Sequence, residues 1–120
     1  MDWFVKHWEQ LTREELYDLL RVRIAVFVVE QNCPYQEADG LDCRAWHVFA
    51  RDGGGDIRAC LRVLEPEDGT ARIGRVLTVE RGTGLGRALM ERGIQTAWEK
   101  CGARRIRLEA QSYAQGFYEK

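Results

Sequence analysis

The sequence is short of the residues that metal sites, membrane spans and secretion require. Its cysteines, Cys33, Cys43, Cys60 and Cys101, include no Cys-x-x-Cys pair, and the two histidines lie away from zinc-ligand spacing. The longest apolar run, residues 24–29, is far too short to span a membrane. No basic segment followed by an apolar core opens the chain, so no signal peptide is indicated. We therefore expect a cytoplasmic protein without a metal or a membrane partner, whose thiols are free and buried or half-buried rather than paired in disulfides.

An excess of charge of one sign is also missing. The 18 Lys and Arg residues nearly balance the 19 Asp and Glu residues, and the net charge of −1 provides no overall attraction to nucleic acid. The hydrophobic share of 45% and the charged share of 31% are typical of a folded globular protein. A length of 120 residues suits one domain, residues 1–120, with one core. Any anion binding must therefore be local.

Hydrophobic periodicity and turn signals predict a mixed order of strands and helices. Strands are predicted at residues 3–8, 46–51, 57–64, 71–79 and 104–110, and helices at residues 13–27, about 84–100, and from Ser112 onwards. Thr12 and Glu15 form a capping box at the start of the first helix. Turns at residues 52–56 and 65–69 join the middle strands into an antiparallel meander. A crossover helix makes the last two strands parallel, so the predicted class is α+β.

A glycine-rich stretch, Arg-Gly-Thr-Gly-Leu-Gly-Arg at residues 81–87, separates the strand at 71–79 from the following helix. Backbone N–H groups converge at a helix start, the helix dipole adds partial positive charge there, and glycine permits close approach. This pattern predicts a phosphate or pyrophosphate site, and the alternative is a tight turn without a ligand. A Walker A loop is excluded because no lysine follows the glycines, and no starting glycine gives the Rossmann Gly-x-Gly-x-x-Gly spacing.

The spacing that does fit is Arg-x-x-Gly-x-Gly, at Arg81, Gly84 and Gly86, which resembles the acetyl-CoA pyrophosphate loop of the GNAT superfamily of N-acyltransferases. Residues 23–40, Arg-x-x-Val-Phe-Val-Val-Glu-Gln-x-Cys-Pro-Tyr-x-Glu-x-Asp-Gly, are similar to the ElaA-like branch of that superfamily. The run Ala-x-x-Phe-Tyr that ends at Tyr118 looks like the motif of its last helix. The three motifs occur in the family's order, and the resemblance covers nearly the whole chain.

The resemblance implies a GNAT-like mixed α/β fold in which the parallel strand pair is splayed at a cofactor slot. It also implies an N-acetyltransferase in which a primary amine of a small molecule or peptide attacks acetyl-CoA directly. No Ser-His-Asp or Cys-His constellation is evident, which agrees with transfer without a covalent enzyme intermediate. The residues implied to bind the cofactor are Val76, Leu77, Thr78, Val79, Arg81, Gly82, Thr83, Gly84, Leu85, Gly86, Arg87, Ala88 and Gln111.

The candidate catalytic residues are an acid and a choice of bases. By resemblance, Tyr118 protonates the leaving CoA thiolate, and the alternative is that it is one more core aromatic residue. The attacking amine must be neutral, and Glu30, His47 and Glu109 are the candidate bases. None of the three is favoured, because a lone histidine is more often structural and Glu30 has Arg23 as a candidate partner.

The segment between the first helix and the second strand is rich in acidic residues, with Glu30, Glu37, Asp39 and Asp42 within thirteen positions. One interpretation is an ordinary solvated surface. The other is a wall that attracts a cationic amine acceptor. The sequence leaves both interpretations open.

The chain stops at Lys120, before the Gly-Phe and the one or two further strands with which the family normally continues. The strand at residues 104–110 is then expected to be an exposed sheet edge. An exposed edge encourages pairing, so a homodimer is one expected form. Two functions stay open on this basis: a C-terminally short acetyltransferase domain, and a CoA-binding module without turnover.

Overall fold

The computed structural model describes residues 1–30, 38–79 and 84–109, with the backbone alone at Glu30. The strands in these ranges are β1 (Asp2–His7), β2 (Ala45–Arg51), β3 (Ile57–Glu67), β4 (Thr70–Thr78) and β5 (Arg105–Leu108). The helices are α1 (Arg13–Arg23) and α2 (Leu85–Glu99). A π-helical segment, Ile24–Glu30, continues α1, and short 3-10 turns lie at Trp8–Gln10 and Asp42–Arg44.

The strands form one sheet in the order β1-β2-β3-β4-β5. The first four pair antiparallel, and β5 pairs parallel to β4 after the crossover through α2. The predicted α+β class, with a meander followed by a parallel pair, is confirmed. The turn between β3 and β4 is shorter than the predicted residues 65–69, because β3 runs on to Glu67. Asp68 and Gly69 have φ of 54° and 77°, the conformation of a two-residue type I′ hairpin turn, so no longer loop is needed.

The start of α1 follows the predicted capping box. The Thr12 hydroxyl accepts a hydrogen bond from the Glu15 backbone N–H at 3.1 Å, and the Glu15 carboxylate accepts one from the Thr12 N–H at 2.9 Å. The other carboxylate oxygen of Glu15 binds Lys6 Nζ of β1 at 2.7 Å. The cap therefore satisfies two backbone donors and also attaches the helix start to the sheet.

The sheet is buried on both faces, and each face has its own apolar core. On one face, Leu89 and Ala97 of α2 pack with β-strand residues that include Leu61 and Ile73. On the other face, the core is formed by Leu19, Phe27, Phe49, Ile57, Cys60 and Leu77. From Ala59 to Leu61, neighbouring residues of β3 alternate between the two cores, as the period of two along a strand requires. The sheet is therefore a central layer between α1 and α2.

Close contact explains a glycine inside α2. Glycine in a helix interior is about 1 kcal/mol less favourable than alanine. A Cβ at Gly93 would lie 2.7 Å and 3.1 Å from the two methyl groups of Leu61, so only glycine lets the helix approach the sheet this closely. The close approach of α2 to β3 therefore accounts for glycine at this position.

The thiols depart in part from the prediction. Cys60 is buried, Cys101 is half-buried and Cys43 is exposed, and none of the three forms a disulfide. The expectation of burial is wrong for Cys43 because it lies in the exposed turn before β2. Cys33 lies outside the described residues. None of the helices in the described part of the chain is long and apolar enough to cross a membrane, and these residues include no cluster of three or more metal-ligating side chains.

Candidate active site

The pairing of the parallel strands β4 and β5 that the structure describes ends at Ile73. Their pairing runs from Thr70 with Arg105 to Ile73 with Leu108, and the Glu109 N–H donates to the Ile73 carbonyl at 2.8 Å. Residues 74–78 of β4 continue without a pairing partner among the β5 residues that the structure describes. This end of β4 can therefore present backbone polar groups to a ligand, as the predicted slot requires.

A β-bulge in β4 lies at the point of separation. Two residues of β4, Arg75 and Val76, oppose the single residue Leu61 of β3. Regular alternation after Ile73 would place Arg75 in the apolar core under α2. The bulge puts Val76 there instead and turns Arg75 to the α1 face, where it binds Asp39. Bulges of this kind re-aim side chains and are frequent beside active sites.

The residues predicted to contact pantetheine follow the bulge directly. Val76 and Leu77 are both 5% exposed and belong to the α2-side and α1-side cores respectively. Thr78 is half-buried and Val79 is exposed, and the Val79 N–H donates to the Arg58 carbonyl at 2.9 Å. Packing on both faces thus fixes this strand, and its backbone is the part that can meet a ligand in the slot.

The predicted pyrophosphate loop is described from Gly84 onwards. Gly84 is the N-cap of α2 with φ of 78°, a left-handed conformation that glycine adopts without strain. It has no side chain to cap the helix, and the first turn of α2, which contains Leu85, Gly86, Arg87 and Ala88, includes no acidic residue. An anion is the kind of partner that such a helix start favours.

Several predicted site residues lie outside the described residues: Arg81, Gly82, Thr83, Gln111 and Tyr118. The side chain of Glu30 lies outside them as well. Their predicted roles stay predictions.

The α1 face of the sheet holds a network of arginines and aspartates, which we call the arginine–aspartate network: Arg23, Asp39, Asp42, Arg62 and Arg75. Its inner carboxylate is Asp42, which is 7% exposed. Arg23 binds both Asp42 oxygens, at 2.9 Å and 3.3 Å, and Arg62 Nη1 binds one of them at 3.0 Å. Arg23 and Arg62 are 2% and 3% exposed, so Asp42 is the shared counter-charge of two buried guanidinium groups.

The outer carboxylate of the network is Asp39. Arg62 donates to both of its oxygens, at 3.0 Å and 2.6 Å, and the Leu41 backbone N–H donates at 3.1 Å. Arg75 Nη2 adds a bond of 3.2 Å from the β4 bulge. The network therefore ties the segment before β2 to α1, to β3 and to the bulge.

The pKa values reflect these contacts. Burial raises the pKa of Asp39, but the hydrogen bonds from Arg62 and Leu41 and the charges of Arg62 and Arg75 outweigh it and lower the pKa from 3.8 to about 2. Burial also raises the pKa of Asp42, and the hydrogen bond and charge of Arg23 bring it below its usual value. Both carboxylates are therefore charged at neutral pH.

The network changes the interpretation of the acidic segment. Asp39 and Asp42 are paired with arginines, so these two carboxylates do not form the predicted wall for a cationic amine, and Asp42 is not part of a solvated surface either. Of the other two acidic residues of that prediction, Glu37 lies outside the described residues, and so does the side chain of Glu30. Arg62 and Arg75 were not singled out in the sequence, although an arginine inside an apolar strand, such as Arg62 between Leu61 and Val63, is a signal of a buried partner.

The position of His47 favours the structural interpretation over the catalytic one. The side chain is 1% exposed, and its Nε2 lies 3.1 Å from the Asp42 carbonyl oxygen, which can only accept, so Nε2 carries a proton. Burial lowers its pKa, and the charges of Arg23 and Arg62 add to this effect against the opposing contribution of Asp42. Of the two candidate bases whose side chains the structure describes, Glu109 is better placed: it is 42% exposed and directly follows β5, with Arg72 Nη1 at 3.6 Å.

The lowered pKa values predict an acid-sensitive fold. In the unfolded chain His47 is protonated below about pH 6.5, whereas in the folded chain its lowered pKa keeps it neutral to a lower pH. The free energy of unfolding is therefore highest above about pH 6.5 and decreases as the pH falls below it. A second loss follows below 3.8, towards about 2, as Asp39 is protonated. Urea unfolding between about pH 7 and about pH 5 tests the first step. His47→Gln should flatten this step, and an equal pH dependence in both proteins would contradict the assignment to His47.

Comparisons with known proteins agree with this geometry. Residues 4–120 match the model of the acetyltransferase (GNAT) family. The chain is 36% identical to protein ElaA of Escherichia coli over 125 residues, covering 99% of this chain and 81% of ElaA. It is also 36% identical to a UPF0039 protein of Schizosaccharomyces pombe over 121 residues, covering 98% of this chain and 81% of that protein.

Solved structures give the same result. The structure of an acyl-CoA N-acyltransferase from Pseudomonas aeruginosa superimposes with a TM-score of 0.88 at 45% identity, covering 98% of this chain and 84% of that chain. The structure of Escherichia coli ElaA has the same TM-score of 0.88 at 36% identity, covering 98% of this chain and 83% of that chain. The likeness therefore includes both the sequence and the fold.

Proposed function

The chain belongs to the GNAT acetyltransferase family, and on that premise we propose that it moves an acetyl group from acetyl-CoA to a primary amine of a small molecule or peptide. The observation that carries the proposal is that the described pairing of β4 with β5 ends at Ile73, while β4 itself runs on to Thr78 and α2 begins after Gly84. In the proposal, the end of β4 offers backbone groups to the pantetheine arm of acetyl-CoA, and the start of α2 offers backbone N–H groups to its pyrophosphate.

In this proposal, each part of the cofactor has its own binding surface. The pyrophosphate lies on the backbone N–H groups of residues 82–88, with Arg81 and Arg87 adding positive charge, and Gln111 is a further contact. The pantetheine arm lies along residues 76–79. A backbone N–H of this strand polarises the thioester carbonyl and stabilises the oxyanion that forms when the amine attacks.

Two proton transfers complete the reaction. The attacking amine must lose a proton, and Glu109 is the base that we favour, because it is 42% exposed and its N–H makes the last described backbone bond between β5 and β4. The C–S bond of the tetrahedral intermediate then breaks, and the CoA thiolate accepts a proton from Tyr118. Glu109 then returns its proton to solvent and Tyr118 regains one from it. Amine and acetyl-CoA thus yield the amide and CoA with a free thiol, the enzyme is restored, and no covalent enzyme intermediate forms.

Release of free thiol is the direct test of this function. Acetyl-CoA is mixed with the protein and a panel of primary amines that includes amino acids, polyamines and peptides. We expect thiol release with at least one amine, and a product heavier by one acetyl group in the mass spectrum. If the protein bound CoA but released no thiol with any amine of the panel, it would be a CoA-binding module and not an enzyme.

Charge reversal at Arg87 tests the position of the pyrophosphate. Arg87 is exposed in the first turn of α2, so Arg87→Glu should leave Tm nearly unchanged while raising the Kd for CoA about tenfold, through loss of one charge-assisted contact. The matched control is Arg13→Glu, which reverses an exposed arginine in the first turn of α1. Equal effects of the two substitutions on CoA affinity, measured by titration calorimetry, would contradict the assignment.

A further inference from the structure

We propose that Arg75 is a positioning residue whose ion pair with Asp39 holds the β4 bulge in the conformation that directs residues 76–78 at the cofactor. This inference rests on the function proposed above. It assigns a role in the reaction to two residues of the arginine–aspartate network, neither of which lies in the glycine loop.

The backbone of Arg75 indicates that its side chain is needed. Its φ of 53° lies in the left-handed region, which is unfavourable by roughly 1–2 kcal/mol for a residue other than glycine. Glycine is the residue that forms a bulge of this conformation without strain. The neighbouring residue is a glycine, Gly74, but it does not have the positive φ. An arginine is therefore held in a strained conformation at a position where glycine would relieve the strain.

The partner of Arg75 is itself held firmly. Asp39 accepts hydrogen bonds at 2.6 Å and 3.0 Å from Arg62, whose side chain is 4% exposed, and one from the Leu41 N–H. The Arg75 side chain is 16% exposed, so its bond of 3.2 Å to Asp39 is largely shielded from water. An ion pair with little solvent access and a fixed partner retains more of its strength than a surface pair.

The ion pair acts on the part of the strand that meets the cofactor. Arg75 is the first residue of the bulge, and residues 76–78 follow it directly, beyond the last pair that β4 forms with the described residues of β5. The conformation of Arg75 sets the direction of the peptide groups that follow. Because acyl transfer depends on placing a hydrogen-bond donor against the developing oxyanion, loosening this residue should reduce the rate more than it reduces cofactor affinity.

Arg75→Gly separates this role from a role in stability. Glycine adopts the same φ without strain, so the variant should keep a Tm close to that of the wild type although the ion pair is lost. We expect kcat to fall by roughly 10- to 100-fold, with KM for acetyl-CoA changed by less than about threefold. Arg75→Lys, which keeps the charge, should recover part of the loss. Wild-type kcat in a folded Arg75→Gly variant would overturn the inference.

Asp68→Gly is the matched control. Asp68 is the other non-glycine residue with positive φ in the described part of the chain, and its φ of 54° is nearly the same as that of Arg75. It lies in the turn between β3 and β4, at the end of β4 opposite to the slot. Its replacement should leave kcat unchanged, and an equal loss of kcat in both variants would also overturn the inference.

A second measurement needs no turnover and so separates this inference from the proposed function. Hydrogen exchange of residues 72–79 should be faster in Arg75→Gly than in the wild type by roughly tenfold, while exchange in β2 stays the same. Unchanged exchange in residues 72–79 would overturn the inference even if the wild-type protein released thiol normally. Faster exchange would support it even if no amine in the panel were acetylated.

Discussion

Asp42→Ala is expected to lower the free energy of unfolding by about 3–5 kcal/mol. The carboxylate is the common partner of Arg23 and Arg62, whose side chains are almost fully buried. Its removal withdraws this counter-charge from Arg23 and leaves Arg62 with Asp39 alone as its carboxylate partner. A domain of this size typically has about 5–15 kcal/mol of stability in total, so the variant should be close to unfolding. Urea denaturation monitored by circular dichroism measures the difference.

The control for Asp42→Ala is a surface ion pair of the same chemistry. Asp18 of α1 binds Arg51 of β2 at 3.1 Å, and its side chain is 37% exposed. Asp18→Ala should therefore lower the free energy of unfolding by no more than about 1 kcal/mol. A similar small loss in both variants would mean that the arginine–aspartate network contributes little to stability.

Tyr118→Phe is expected to reduce kcat by about 10²- to 10⁴-fold, the range for loss of a general acid. The substitution removes only the hydroxyl group that we propose to protonate the CoA thiolate, so KM for acetyl-CoA should change little. Steady-state thiol release with the best amine of the panel measures both constants. The matched control is Tyr17→Phe, because Tyr17 lies on α1 and is 67% exposed.

An unchanged kcat in Tyr118→Phe would contradict the assignment of Tyr118 as the general acid. Tyr118 would then be a core aromatic residue, the alternative that the sequence left open, and the proton would have to reach the thiolate from water or from another residue. Loss of kcat in Tyr17→Phe as well would show that the assay responds to general changes in the protein.

The parts of the fold that depend on local sequence could be predicted. The capping box of Thr12 and Glu15 and the crossover through α2 rest on residue types at fixed short spacings, and both are present in the structure. The start of α2 is also a local feature. The glycines there predicted a backbone with positive φ, and Gly84 has this conformation. Local chemistry determines these features, so the sequence is sufficient for them.

The parts that depend on pairing between distant residues could not be predicted. The ion pair of Arg75 and Asp39 joins positions 36 residues apart, and it exists only because a bulge turns Arg75 to the α1 face. A bulge has no signal in the sequence of one strand, because it is a mismatch between two strands. For the same reason the acidic segment was interpreted by its charge alone, whereas its aspartates pair with arginines of α1, β3 and β4.

The central claim is that CoA binds where β4 leaves β5 and α2 begins. Titration of the isotope-labelled protein with CoA, followed by the backbone amide signals in NMR spectra, tests it most directly. We expect the largest shifts at residues 76–79 and 84–88, with small shifts in β1 and β2. Shifts concentrated elsewhere, or none at millimolar CoA, would contradict the account.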